Sequence, residues 1–213
     1  MGTFNKGILG GFSGKVGTVI GSNWRGLNVM RSLPKKSNTN PSQKQVVQRE
    51  KFAAIIGFLS PLTALLSEYY GGASGVSSRL NNAVSYHLKQ ALVGDSPDFM
   101  IDYTKVLVSK GEVIGVKDGA METLQPATVN LQWANNSGQV LAEATDVLLA
   151  VVYNSDKEQF IISGDVAQRE DMTAAIAVPA AFTGDTVHVW LSFVNPLLNK
   201  ASTSVYLGAA VIS

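Results

Sequence analysis

The chain has no cysteine and only two histidines, His87 and His188. The first absence excludes disulfides, thiolate metal sites and cysteine nucleophiles, and it leaves the redox compartment undetermined. The two histidines have no carboxylates at ligand spacing around them, so both are assigned to packing or to the surface rather than to a metal. No Gly-x-Ser-x-Gly elbow occurs, and Ser163-Gly164-Asp165 reads as a turn. No run of eighteen apolar residues is present, so no membrane-spanning helix is expected. The start of the chain lacks a small-residue cleavage site, so no secretory signal is expected. That points to cytoplasmic synthesis, with later assembly into a virion or appendage left open. Charged residues make up 15% of the chain, a small share but an ordinary one for a folded protein.

A phosphate-binding loop is also excluded. Gly10 to Gly14 followed by Lys15 has the look of one, but only three residues separate those glycines and Val16 stands where a hydroxyl would reach magnesium. The acids Asp146, Asp156, Asp165, Glu170 and Asp171 fall near expected strand ends. Their spacing matches no calcium loop, so they are read as solvated loop tips. No cofactor, metal or catalytic residue is assigned, and no enzymatic activity is expected.

What the chain does have is glycine at its start. Eight of the first thirty residues are glycine, interleaved with bulky apolar side chains. Glycine lets a second backbone or surface approach closely, so the segment is expected to lie against something. It is also basic. Residues 1–60 hold nine Lys or Arg and one acid, Glu50, leaving eight basic and fifteen acidic residues for 61–213. A basic head on an acidic body can meet an anion such as nucleic acid, or the acidic body of a neighbouring copy.

Residues 15–32 read as a β-hairpin. Val16, Thr18 and Ile20 alternate with Gly17, Val19 and Gly21, Asn23-Trp24-Arg25-Gly26 makes the turn, and Leu27, Val29 and Arg31 alternate on the return. Residues 33–40 form a polar linker. Asn40-Pro41 starts a helix, Ser60-Pro61 starts a second one that ends at Gly71-Gly72, and a third runs from Ser77 to Leu92. Leu80, Val84, His87, Leu88 and Ala91 share one face of that third helix.

Beyond residue 100 the pattern turns to period two. Strands are expected at Lys105–Ser109, Val113–Val116, Thr128–Ala134, Val147–Tyr153, Gln159–Ser163, Met172–Val178, Thr186–Phe193 and Ser204–Ile212, with breaks such as Asp118-Gly119 between them. The fold class is therefore α+β: a glycine-rich β-hairpin arm and linker over 1–40, an α-helical region over 41–97, and an antiparallel immunoglobulin- or fibronectin-like β-sandwich over 98–213. Trp133 and Trp190 are placed in the sandwich core. Trp24, beside Arg25 at the hairpin turn, is a docking anchor or a stacking platform for single-stranded nucleic acid.

The residues also carry a resemblance. Gly7 to Gly21, Trp24-Arg25-Gly26, Arg31, Pro34, Asn40-Pro41, Gln45, Gln48-Arg49, Lys51-Phe52 and Ser202 to Gly208 resemble the signature of an uncharacterised Bacteroidota family of unknown function. A looser version resembles small proteins encoded in phages and prophages. The resemblance carries no activity, and its phage-like form implies a structural or virion-associated role.

The leading expectation is a non-enzymatic structural subunit that assembles with copies of itself, and with other structural subunits, into a ring, a filament or a virion-associated layer. Its arm would use Ile8, Leu9, Phe12, Val16, Val19, Ile20, Trp24 and Arg25, and its basic contacts would be Lys6, Lys15, Arg25, Arg31, Lys35 and Lys36. The alternatives are a nucleic-acid-binding module using that basic arm, and an adhesion or carbohydrate-binding sandwich using its loops.

Overall fold

The structure is a computed structural model describing residues 2–4, 10–24, 26–35, 40–72 and 77–213. It divides into two compact units, residues 1–43 and 44–213, called here the arm and the body.

The arm is one antiparallel sheet in the order β1 (Thr3–Phe4), β2 (Phe12–Val16), β3 (Val19–Trp24), β4 (Leu27–Ser32). The expected hairpin is present at its second turn, where Trp24 pairs with Leu27 and Gly26 has φ +82°. The Asn23 side chain accepts the Gly26 N–H at 3.1 Å, closing that turn. The run expected to be one strand from residue 15 to 21 is broken. Val16 pairs with Val19 across Gly17-Thr18, with Gly17 at φ +59°, so the segment is two strands rather than one. Alternation survives a two-residue turn of this kind, so the pattern by itself did not disclose it.

In the body, α1 (Gln43–Leu59), a 3-10 turn at Ser60–Leu62 and α2 (Thr63–Tyr69) follow one another, then α3 (Arg79–Gln90). Ser78 caps α3, its hydroxyl accepting the Asn81 N–H at 3.2 Å. The stretch Gln43–Tyr69 is long and apolar enough to cross a membrane by length and composition. In this fold it supplies Ile55, Leu59, Leu62, Leu65 and Leu66 to the core.

After a short ribbon, β5 (Leu92–Val93) with β6 (Met100–Ile101), come β7 (Lys117–Glu122), β8 (Thr128–Ala134), β9 (Val147–Asn154), β10 (Gln159–Gln168), β11 (Thr173–Ala177), β12 (Thr186–Asn195), β13 (Lys200–Ala201) and β14 (Val205–Val211). They form a five-stranded antiparallel sheet, β10-β9-β12 with β13 and β14 both on β12, facing a three-stranded sheet in the order β11-β8-β7. The chain is therefore α+β, with a glycine-rich β arm, short helices and an antiparallel immunoglobulin/fibronectin-like sandwich.

The two central strands are buried on both faces. Leu148, Ala150 and Val152 of β9 and Val187, Val189, Leu191 and Phe193 of β12 pack between the sheets with Val129, Leu131 and Ile176. The alternate residues Leu149, Val151, Tyr153 and Trp190 pack on the other side, under Ile55, Leu59, Leu66 and Val84 of the helices. The helices thus form a third layer on the sheet. Trp133 lies between the sheets as expected, while Trp190 faces the helices because it falls on the opposite parity of β12.

Three expectations are corrected. Lys105–Ser109 and Val113–Val116 are not strands. Tyr103–Lys105 is a 3-10 turn, and the residues after it touch their neighbours through isolated bridges, Tyr70 with Lys110 and Val113 with Ser202. The segment alternates because Val106 and Val108 dip into the helix-side core and Val113 into the inter-sheet core. Its N–H groups go to side chains and to isolated carbonyls instead of a ladder: the Ser204 hydroxyl accepts the Val108 N–H at 3.0 Å, while Lys110 donates to the Tyr69 carbonyl and Ile114 to the Leu141 carbonyl. The first strand of the sandwich, β7, lies over the expected break at Asp118-Gly119, which is a bulge with Asp118 at φ +50°. Ser163-Gly164-Asp165 is likewise no turn but the point where β10 bulges.

Candidate functional site

The arm is built around close approaches that its glycines permit. A Cβ on Gly21 would lie 2.3 Å from the carbonyl oxygen of Phe12, and one on Gly11 would lie 2.2 Å from the Asn28 side chain. The glycines therefore make room for the arm's own packing, with the Phe12 ring seated over Gly21.

That packing leaves the outer strand uncovered. All six residues of β4 are exposed, on both faces of the strand. Leu27 is 60% exposed, Met30 67% and Trp24 52%; Val16, Val29 and Leu33 are exposed as well. Among the described residues β4 pairs with β3 alone, so its far edge carries no ladder. An edge strand of this length with apolar side chains on both faces is the kind that recruits another strand. Lys15, Arg31 and Lys35 are exposed around it. The arm unit, residues 1–43, holds six basic residues and no acid.

Of the residues expected to form the assembly surface, Val16 and Trp24 are exposed, while Phe12, Val19 and Ile20 are half-buried within the arm. Ile8, Leu9, Arg25, Lys6 and Lys36 lie outside the described residues. Leu27, Val29, Met30 and Leu33 were not in the expected set. Their signal was present, because apolar residues on both parities of a short strand cannot all face one core.

The body carries a second concentration of chemistry. His188 Nδ1 lies 2.8 Å from the Tyr206 hydroxyl, and the Tyr103 ring sits 4.0 Å from the imidazole. Burial holds the His188 pKa below its ordinary value, against the opposing charge of Asp156. Burial likewise raises the pKa values of Tyr103, Tyr153 and Tyr206. Phe58, Tyr153 and Phe160 continue the cluster, with Phe58 edge-on to Tyr153 at 5.2 Å. These contacts join α1 to the sheet. Among the described residues no three His, Asp or Glu side chains converge as metal ligands would.

Asp146, expected at a solvated loop tip, is fully buried. Its Oδ2 accepts from Arg169 Nη2 at 2.9 Å and Nε at 3.2 Å, and its Oδ1 accepts from Asn195 Nδ2 at 2.9 Å. Arg169 further donates to Asn136 and to the Ile114 carbonyl, and its guanidinium lies 4.0 Å from the Phe193 ring centre. Every charged atom of the pair has a partner, so the network serves to pin loops to the sandwich. The remaining acids, Asp156, Asp165, Glu170 and Asp171, are exposed.

A family model matches residues 11–208, and the chain belongs to that family, DUF6266, a family of unknown function. No similar protein was found among curated proteins. Among solved structures the chain is similar to the fn3 domain of the human collagen alpha-1(XX) chain, at 8% identity and a TM-score of 0.37, over 47% of this chain and 86% of that one. It is similar also to an fn3 domain of human contactin 1, at 8% identity and a TM-score of 0.37, over 49% of this chain and 82% of that one. The sandwich is defined by its own strand order, β10-β9-β12 against β11-β8-β7.

Proposed function

We propose that this chain is a non-enzymatic structural subunit that associates with copies of itself through its N-terminal arm, building a ring, a filament or a virion-associated layer. The observation that carries the reading is β4, a six-residue edge strand exposed on both faces and bearing Leu27, Val29 and Met30 beside Trp24. A small sheet with such an edge gains by strand addition: backbone hydrogen bonds supply affinity and the apolar side chains fill pockets between strands. The β-sandwich body suits the role, since it is a rigid module that presents surfaces. The contact is arm to body rather than arm to arm, so it repeats head to tail and yields rings or filaments according to whether the rotation closes.

The test is the mass of the untagged chain by light scattering across concentration. The expected result is multiples of 22.6 kDa that revert toward one copy when Leu27, Val29 and Met30 are all changed to Ser. An unchanged distribution in that variant would show the reading to be wrong.

A second reading is favoured by the arm's charge, six basic residues with no acid among the first 43. On this reading the arm binds nucleic acid, with Lys15, Arg31 and Lys35 on phosphates. Retention on single-stranded DNA should then fall steeply with salt, and no retention at low salt removes it.

A further inference from the structure

We infer that the surface receiving β4 is the outer edge of β10 on a second copy of the chain, over Gln159–Gly164, paired antiparallel. This rests on the arm-mediated association proposed above and names its partner surface.

Strand β10 ends the five-stranded sheet. Among the described residues it pairs with β9 alone. Its register against β9 runs unbroken from Gln159 opposite Asn154 to Gly164 opposite Leu149, then shifts at a bulge before Gln168. The bulge, with Asp165 at φ +60°, blunts the far half of the edge. The straight half is left open, and its six residues match the six of β4. It also carries exposed apolar surface, Ile162 at 44%, with Val166 at 46% just past the straight half.

Charge chooses between β10 and the β4 edge of another copy. Exposed acids flank the open half of β10, Asp156 and Glu158 at its start and Asp165, Glu170 and Asp171 at and past its end. The basic residues nearby are already engaged: Lys157 pairs with Asp185, and Arg169 is buried on Asp146. Pairing β4 with β4 of another copy would bring together two arms that hold six basic residues each and no acid. Pairing β4 with β10 sets Arg31 against an acidic rim. Every strand pair in the sheet is antiparallel, and antiparallel addition with Val29 opposite Ile162 places Arg31 beside Phe160, next to Glu158.

The absence of cysteine makes the pairing directly testable in the full-length chain. Facing residues of an antiparallel pair have Cβ atoms about 4.5–5.5 Å apart, within reach of a disulfide after small adjustment. A Val29→Cys chain is mixed with an Ile162→Cys chain, oxidised mildly and run without reductant, beside each chain alone. The expected result is a covalent dimer only in the mixture, and a ladder of multimers from the chain carrying both substitutions. The mixed dimer should be lost when Glu158 and Asp165 are changed to Lys.

Covalent dimers from Val29→Cys alone would show arm-to-arm pairing and overturn the inference. So would a disulfide closed within one chain in the double variant, or an absence of mixed dimers while light scattering still reports oligomers. In that last case the arm reading survives and the receiving surface lies elsewhere. A wild-type chain that stays at one copy overturns both.

Discussion

The imidazole of His87 accepts the backbone N–H of Leu107 at 3.2 Å, tying helix α3 to the segment that leads into the sandwich. Its other nitrogen, Nδ1, lies 2.7 Å from the Ala83 carbonyl, which can only accept. The ring is therefore neutral, with its proton on Nδ1 and its lone pair on Nε2 toward Leu107. Protonation would set an N–H against an N–H, and burial already lowers the His87 pKa.

The folded chain thus holds His87 neutral at a pH where the unfolded chain takes up a proton. Below the unfolded value, about 6.5, the unfolded state binds more protons, so stability falls as pH drops toward the depressed folded value. His188, lowered in the same direction, adds to the effect. The urea midpoint should decrease from about pH 7.5 to about pH 5.5. His87→Gln should lower the midpoint at neutral pH and flatten the slope. An equal slope in wild type and variant would refute the assignment.

The Arg169–Asp146 pair gives a prediction of larger size. Arg169→Ala leaves the Asp146 carboxylate buried without its main partner, at a cost of about 3–5 kcal/mol. Asp146→Ala should cost a similar amount. Removing both should cost well under the sum, because neither charge is then stranded. Urea denaturation of the three variants measures the cycle, and additive losses would contradict the coupling.

In the arm, Gly21→Ala drives a Cβ to 2.3 Å from the Phe12 carbonyl oxygen. The backbone cannot yield there without parting β2 from β3. The expected outcome is loss of arm protection in amide exchange and loss of self-association, with the thermal transition of the body unchanged. A variant that assembles like wild type would mean that an ordered arm sheet is not required.

Trp24 is 52% exposed at the tip of the β3–β4 hairpin. Trp24→Ala should weaken self-association by about 2 kcal/mol, roughly thirtyfold in the dissociation constant. A concentration series by sedimentation or light scattering reads this, and an unaltered constant would remove Trp24 from the interface.

Much of the local structure was legible in the chain. Asn23 and Gly26 marked the hairpin turn because a side-chain acceptor and a positive φ are local requirements. The faces of α3 followed from spacing, and six of the eight expected strands are present. The misses share one cause. Residues 105–116 alternate like a strand, yet a strand is defined by a partner, and the N–H groups of Val108 and Ser109 meet Ser204 instead of a neighbouring ladder. On β4 the parity of Leu27, Val29 and Met30 already ruled out a single core face, and only the completed fold showed that all three lie outside.

The glycine-rich basic arm, the three helices and an antiparallel sandwich follow from the order of residues alone, because turns, caps and periodicity act over a few residues. The assembled fold is needed to see that the helices cover the sheet as a third layer, that Trp190 faces them while Trp133 lies between the sheets, and that Asp146 is buried against Arg169. Those outcomes depend on which distant residues meet. The open edges of β4 and β10 belong to the same class, since an edge exists only once every other strand has found its partner.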